Sequence, residues 1–152
     1  MNGQDSRVAA LYTVQDGGLV ADDTPNAGVP DATRFDVILE AEAGDPLGNS
    51  GAAYTLNVYA VSDDGGVVPA GFSPGVFNEN WNAANGWKKV GNDFVKTGAG
   101  EADGIFRFNI TIAAGAIPAG TFRRFHYNAD LIGVNFEVTS LFESASFVLV
   151  GF

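Results

Sequence analysis

The stretch RFDVILEAEAG (residues 34–44) alternates: Phe35, Val37, Leu39, Ala41 and Ala43 share one side of an extended chain, with Asp36, Glu40 and Glu42 on the other and Ile38 the exception. A period of two belongs to a strand, because successive side chains on an extended backbone point to opposite faces. The run at residues 54–61 repeats the pattern, setting Tyr54, Leu56, Val58 and Ala60 against Thr55, Asn57, Tyr59 and Val61, and ends at the turn formers Ser62-Asp63-Asp64-Gly65-Gly66. At residues 105–113, Phe106, Phe108, Ile110 and Ile112 oppose Arg107, Asn109 and Thr111. Each run has one face to bury and one to leave in water.

Working outward, the apolar run VAALYTV (residues 8–14) meets Gln15-Asp16-Gly17-Gly18, and Asp-Gly favours a hairpin leading into Leu19-Val20. Residues 21–33 hold Pro25, Gly28 and Pro30, which neither a helix nor a central strand tolerates, so they predict a loop. Beyond a turn at Pro118, further strands are expected at 121–129, 136–140 and 144–150. The pattern weakens over residues 67–104, a long irregular insertion rich in Gly and Asn that holds both tryptophans. It predicts at most one or two short strands, near 87–90 and 94–96. No segment carries a capped helical stripe and no repeat recurs at a fixed period. The expectation is an all-β chain, one domain over residues 1–152, with about seven to nine antiparallel strands.

The composition excludes several classes. With a net charge of −10 and only 8 Lys and Arg, a nucleic acid backbone would be repelled, so no nucleic acid partner is expected. The chain has no cysteine, hence no disulfide, thiolate nucleophile or thiolate metal site. No apolar run is long enough to span a bilayer, and residues 1–7 lack the basic and apolar regions of a signal peptide. The expectation is a chain cytoplasmic when made or already trimmed, with assembly-associated and extracellular placement both open.

RFDVILEAEAG followed by YTLNVYAVSDDGG resembles the second and third strands of bacterial immunoglobulin-like and fibronectin-type domains. IFRFNITIAAGAIPAGTFRRF is similar to a later strand of those domains, its Pro-Ala-Gly-Thr turn and the start of the next strand, and FEVTSLFESASFVLV to a closing strand. The resemblance implies an immunoglobulin-like β-sandwich and no functional residue. The antibody-type cysteine pair is absent, as is a tryptophan within residues 54–61.

Reactive chemistry finds little support. Gly71-Phe72-Ser73-Pro74-Gly75 has the outline of a nucleophile elbow, but the residue after the serine must donate its N–H to an oxyanion, and proline has none. The lone histidine, His126, has Arg124 on its face and no carboxylate beside it in sequence, so it reads as a surface strand residue. Glu40 and Glu42 lie about 6.6 Å apart along a strand, yet on a polar face both are hydrated. The expectation is no enzyme, no catalytic residue and no cofactor. Calcium is the one alternative, with oxygen ligands on Gly-rich loops at Asp22-Asp23, Asp63, Asp64, Asp93, Glu101 and Asp103, although none has the spacing of a calcium loop.

Two segments suggest contact surfaces. Phe72, Phe77, Trp81 and Trp87 stand among Asn78, Asn80, Asn82 and Asn85, a mixture suited to stacking on a glycan or to a protein partner. The same tryptophans read more readily as plugs for the ends of the sandwich. Phe147 to Val150 is apolar on both faces, so something covers the second one: a loop of the same chain, the middle segment among the choices, or a neighbouring subunit. The interface candidates are therefore Trp81, Trp87, Phe77, Phe147, Leu149 and Phe152. The expected function is a non-enzymatic structural or interaction subunit, a homo-oligomer or a decoration of a phage-like, contractile-injection-like or filamentous assembly. The alternative is a glycan- or ligand-binding module using the Trp/Asn-rich loop, with or without calcium.

Overall fold

The computed structural model describes residues 6–97, 106–133 and 139–152. Its elements are β1 (Ser6–Gln15), β2 (Arg34–Gly44), a one-turn helix α1 (Asp45–Gly48), β3 (Ala53–Ser62), β4 (Gly75–Asn80), a 3₁₀ turn (Ala83–Asn85), β5 (Trp87–Val90), β6 (Asp93–Lys96), β7 (Phe106–Thr111), β8 (Phe122–Gly133), β9 (Thr139–Glu143) and β10 (Phe147–Val150). These ten strands, one more than the upper end of the sequence expectation, form two antiparallel sheets. The first runs β1-β2-β6-β5, and the second β10-β8-β3-β4. Each is built around one long strand flanked along a single edge by two short ones. β7 and β6 follow each other along β2, and β10 and β9 along β8.

One core joins the sheets. Phe35, Val37 and Leu39 of β2 point inward, as do Leu56 and Val58 of β3, Phe125, Tyr127 and Leu131 of β8, and Phe147 and Leu149 of β10. Ring contacts cross the interior: Phe35 lies 5.7 Å from Phe147 and 6.2 Å from Phe72, and Tyr127 stacks on Phe147 at 5.4 Å. Buried aromatics of this size dominate the apolar area removed from water. Tyr127 also needs an acceptor for its hydroxyl and finds it in the Phe72 carbonyl at 2.7 Å. The β-sandwich-like architecture follows from that shared interior. No helix among the described residues is long and apolar enough to cross a membrane.

Several departures from the sequence expectation have physical reasons. In β1 the register slips between Val8 and Ala10, and the bulge brings both Val8 and Leu11 inward, which a regular strand would not allow. Gly17, at φ 71°, closes the Asp-Gly turn, but Leu19 and Val20 are exposed and form no strand. The chain instead folds back, Asp22 N–H donating to the Thr13 carbonyl and Thr13 Oγ1 to the Asp22 carbonyl, and β1 pairs with β2. Residues 67–97 contain β5 and β6 near the expected places, and also β4, unforeseen because its inward positions are Phe77 and Glu79. A carboxylate on the inner side of a strand breaks the apolar alternation that marks strands.

The open edge of the apolar C-terminal strand is closed by the loop after β1. Val148 N–H donates to the Asp23 carbonyl at 2.7 Å, and Val150 N–H to Asn26 Oδ1 at 2.9 Å. Asn26, fully buried, returns its amide to the carbonyls of Val150 and Ala32. A carboxamide offers both acceptor and donors, so it substitutes for a neighbouring strand. Asn26→Ala should lower stability by about 2–3 kcal/mol, because buried backbone groups lose their partners without access to water. Chemical denaturation measures the loss, and amide exchange should localise it to residues 148–150.

Candidate functional site

At one end of the sandwich β3 runs out into Asp63-Asp64, beside the start of β8 and the turn between β9 and β10. Strand pairing sets Val61 opposite His126 and Ser62 opposite Phe125, which brings Asp63 and Asp64 against the β8 cations. Asp64 accepts from Arg123 Nη2 at 2.9 Å, from Ser62 Oγ at 2.7 Å, and from the N–H groups of Arg124 and Gly66. The Arg123 guanidinium lies 4.9 Å over the Phe125 ring, which fixes its plane.

His126 has two carboxylates for neighbours: Nδ1 is 2.6 Å from Asp63 Oδ1, and Nε2 is 3.4 Å from Glu143 Oε1. The carboxylates absent beside His126 in sequence are thus supplied in space. Asp63 follows the end of β3 and Glu143 ends β9, at sequence distances no local pattern reveals. Ser146 Oγ donates to the second Asp63 oxygen at 2.8 Å. The chain of contacts runs serine, aspartate, histidine, whereas a nucleophilic serine must give its proton to the imidazole. This arrangement ties three segments together.

A groove of about 380 Å³ opens beside Ser146, lined by Tyr12, Thr13, Ala21, Asp22, Asp23, Ala145, Ser146 and Phe147. Its Asp22 carboxylate accepts from the Thr24 N–H at 2.8 Å, which holds the carboxyl below its usual range, with the Gln15 and Thr24 side chains adding to the effect.

The metal candidates do not converge. Asp63 is held by His126 and Ser146, and Asp64 by Arg123. Asp93 opens β6 in the other sheet, while Glu101 and Asp103 lie outside the described residues. Among the described residues no group of three His, Asp or Glu could hold a metal ion.

The aromatic candidates mostly belong to the core. Trp81 and Trp87 are 1% and 3% exposed, so neither indole has a face to stack on a sugar. They pack around Tyr54, with ring centroids 4.6 and 5.8 Å away, and Trp87 Nε1 donates to the Tyr54 hydroxyl at 3.0 Å. Phe147 and Leu149 point inward, and Phe77, half-buried, stacks on Phe108 at 5.3 Å. Phe152 alone of the six is exposed. Ser73 accepts the Ala60 N–H at 3.0 Å, as a turn residue does.

Beneath the tryptophans lies a charge network for which the sequence offered one sign, a lysine at an inward strand position. Lys96, 2% exposed, donates from Nζ to Glu79 Oε2 at 2.7 Å and to the Asn85 carbonyl. Its ammonium also sits 4.9 Å over the Phe106 ring. Glu79 accepts from the Tyr54 hydroxyl as well. Burial and this carboxylate both push the Tyr54 phenol well above its ordinary range.

The Asp64 contacts set a pH dependence. Arg123 first, then Ser62 and the backbone N–H groups, hold its carboxyl well below the usual carboxylate range. The unfolded chain therefore takes up a proton more readily than the folded one. The stabilisation is whole above the ordinary aspartate value of about 4 and drains away as pH falls through and below it. Melting temperature between pH 6 and pH 3 should fall more steeply for the wild type than for Asp64→Asn.

Comparison with family models, curated proteins and solved structures finds no match. The functional reading rests on the geometry alone.

Proposed function

We propose that this chain is a non-enzymatic structural or interaction subunit with an immunoglobulin-like fold, which self-associates or decorates a larger assembly. The strand order supports the fold assignment: β1-β2-β7 against β10-β8-β3-β4 corresponds to strands A-B-E against G-F-C-C′ of that fold. The β5–β6 hairpin is then an addition between C′ and E.

The observation that carries the functional reading is the outer face of the second sheet. Val76, Phe122 and Leu141 are 60%, 65% and 71% exposed there, in register with Asn57, Val150 and Asp130. Exposed apolar side chains beside Asn57 and Asp130 on the outer face of a sheet suit a protein contact more than a reaction. Sedimentation velocity over a concentration series tests the reading. A concentration-dependent rise in mass is expected, and a monomer at every concentration would contradict self-association.

The ligand-binding alternative is favoured only by the groove beside Ser146, where Tyr12 is the partly exposed aromatic. Titration of the intrinsic fluorescence with a glycan panel, with and without calcium, tests it; a saturable change would support it.

A further inference from the structure

We propose that His126 is a proton-operated clasp: its protonated ring holds Asp63 and Glu143 together across the break between β9 and β10, and loss of the Nε2 proton releases Glu143. The proposal goes beyond the interaction reading and does not depend on it. β9 and β10 lie one after the other along β8, β9 ending at Glu143 opposite Asn128 and β10 starting at Phe147 opposite Phe125. Tyr127 and His126 therefore face the turn at residues 144–146. Backbone contact there passes through Ser144, whose N–H donates to the Tyr127 carbonyl and whose Oγ accepts the Tyr127 N–H, both at 2.8 Å. Side chains close the rest: Ser146 Oγ reaches Asp63, Asp63 reaches His126, and His126 reaches Glu143.

The two ring nitrogens decide which protonation state fits. A carboxylate only accepts, so the 2.6 Å contact with Asp63 Oδ1 requires a proton on Nδ1. A neutral imidazole has one N–H, which leaves a lone pair on Nε2 facing Glu143 Oε1 at 3.4 Å. Two acceptors so placed repel. The imidazolium has two N–H groups and satisfies both carboxylates, so the arrangement is complete only with the ring charged. Glu143 has an alternative in water, its side chain being 69% exposed, while Asp63, at 21%, is tied to Ser146 as well. The carboxylate that leaves on deprotonation is therefore Glu143.

The titratable groups around the ring are Asp63 from the end of β3, Glu143 from β9, Tyr59 of β3 diagonally across, and Arg124, two residues along β8 on the same face. β10 contributes none. Asp64, next to Asp63, is committed to Arg123, and Asp22 and Asp23 line the groove beyond Ser146. Among such side chains only an imidazole ordinarily changes charge between about pH 5 and 8. Leu141, 71% exposed, lies two residues before Glu143 on the same outer face. Loss of the proton leaves that face with one more uncompensated negative charge and a free carboxylate near its apolar side chain.

Nitrogen-15 NMR of the ring, together with amide exchange, tests the proposal on the full chain between about pH 5 and 8. The chain has one histidine, so the ring signals belong to His126. At low pH the ring should carry protons on both nitrogens, and at high pH it should keep Nδ1–H and lose Nε2–H. Corrected for the intrinsic pH dependence of exchange, the Tyr127 and Ser144 amides should exchange about threefold faster with the ring neutral than with it charged. Glu143→Gln, whose carboxamide can donate to a bare Nε2, should hold the turn equally at both ends of the range. Glu143→Ala should show the faster exchange at both. Each replaces a mostly exposed side chain, and circular dichroism should match the wild type. A neutral ring that carries its proton on Nε2, a wild type whose exchange ignores pH, or variants that follow the wild type in their pH dependence would overturn the clasp.

Discussion

Glu79→Ala should destabilise the fold by about 3–5 kcal/mol in urea denaturation, among the largest effects of any single substitution in the chain. The reason lies in what it strands. Lys96 keeps 3% of its side chain exposed, and without Glu79 its ammonium retains the Asn85 carbonyl and two aromatic faces, with no carboxylate. The Tyr54 hydroxyl, which donates to Glu79 and accepts from Trp87, loses its acceptor in the same step. A charge left in a water-poor interior is far more unfavourable than the absence of the pair. The double variant Glu79→Gln, Lys96→Met should therefore recover most of the loss, to within about 1–2 kcal/mol of the wild type. A double variant as unstable as Glu79→Ala would mean that the damage comes from packing around Trp87.

The second large effect is expected at the opposite end of the first sheet. Asp36, 1% exposed, accepts from Arg107 Nη1 at 2.6 Å, Asn109 Nδ2 at 2.7 Å and the Gly17 N–H at 2.9 Å. Arg107→Leu leaves that carboxylate with two neutral donors, and stability should fall by about 3 kcal/mol. Arg107 also donates to the Gly18 carbonyl at 2.8 Å, so the same substitution loosens the turn that follows β1. Amide exchange at Gly17 and Gly18 should accelerate beyond the global change. Uniform acceleration throughout the molecule would contradict a local anchoring role.

The strands that bury one face were legible because their alternation is clean, and β2, β3 and β7 lie close to where the period of two puts them. Legibility failed wherever a polar group is buried with its partner. Asp36 sits on the nominally polar side of β2, yet Ile38 and Asp36 are both buried, and Arg107 from β7 makes that possible. β4 was hidden because Glu79 occupies an inner position that only Lys96, seventeen residues later, renders tolerable. The roles of Asp63 and His126 depend on the register between β3 and β8, which alternation alone does not specify. The tryptophans admitted two readings, a ligand platform or plugs for the sandwich ends, because their Asn-rich surroundings are polar in sequence. In space those amides bond backbone, Asn80 to the Gly51 carbonyl and Asn85 to the Asn80 carbonyl, while the indoles turn inward. The closure of β10 by Asn26 is likewise a contact between residues 124 apart, for which a loop composition gives no sign.

Amide hydrogen exchange of the wild-type chain at low and high concentration is the most direct test of the claim that this molecule works by contact. Slower exchange at high concentration, concentrated in the strands that carry Val76, Phe122 and Leu141, is the predicted result. Exchange that is the same at both concentrations along the whole chain would contradict it.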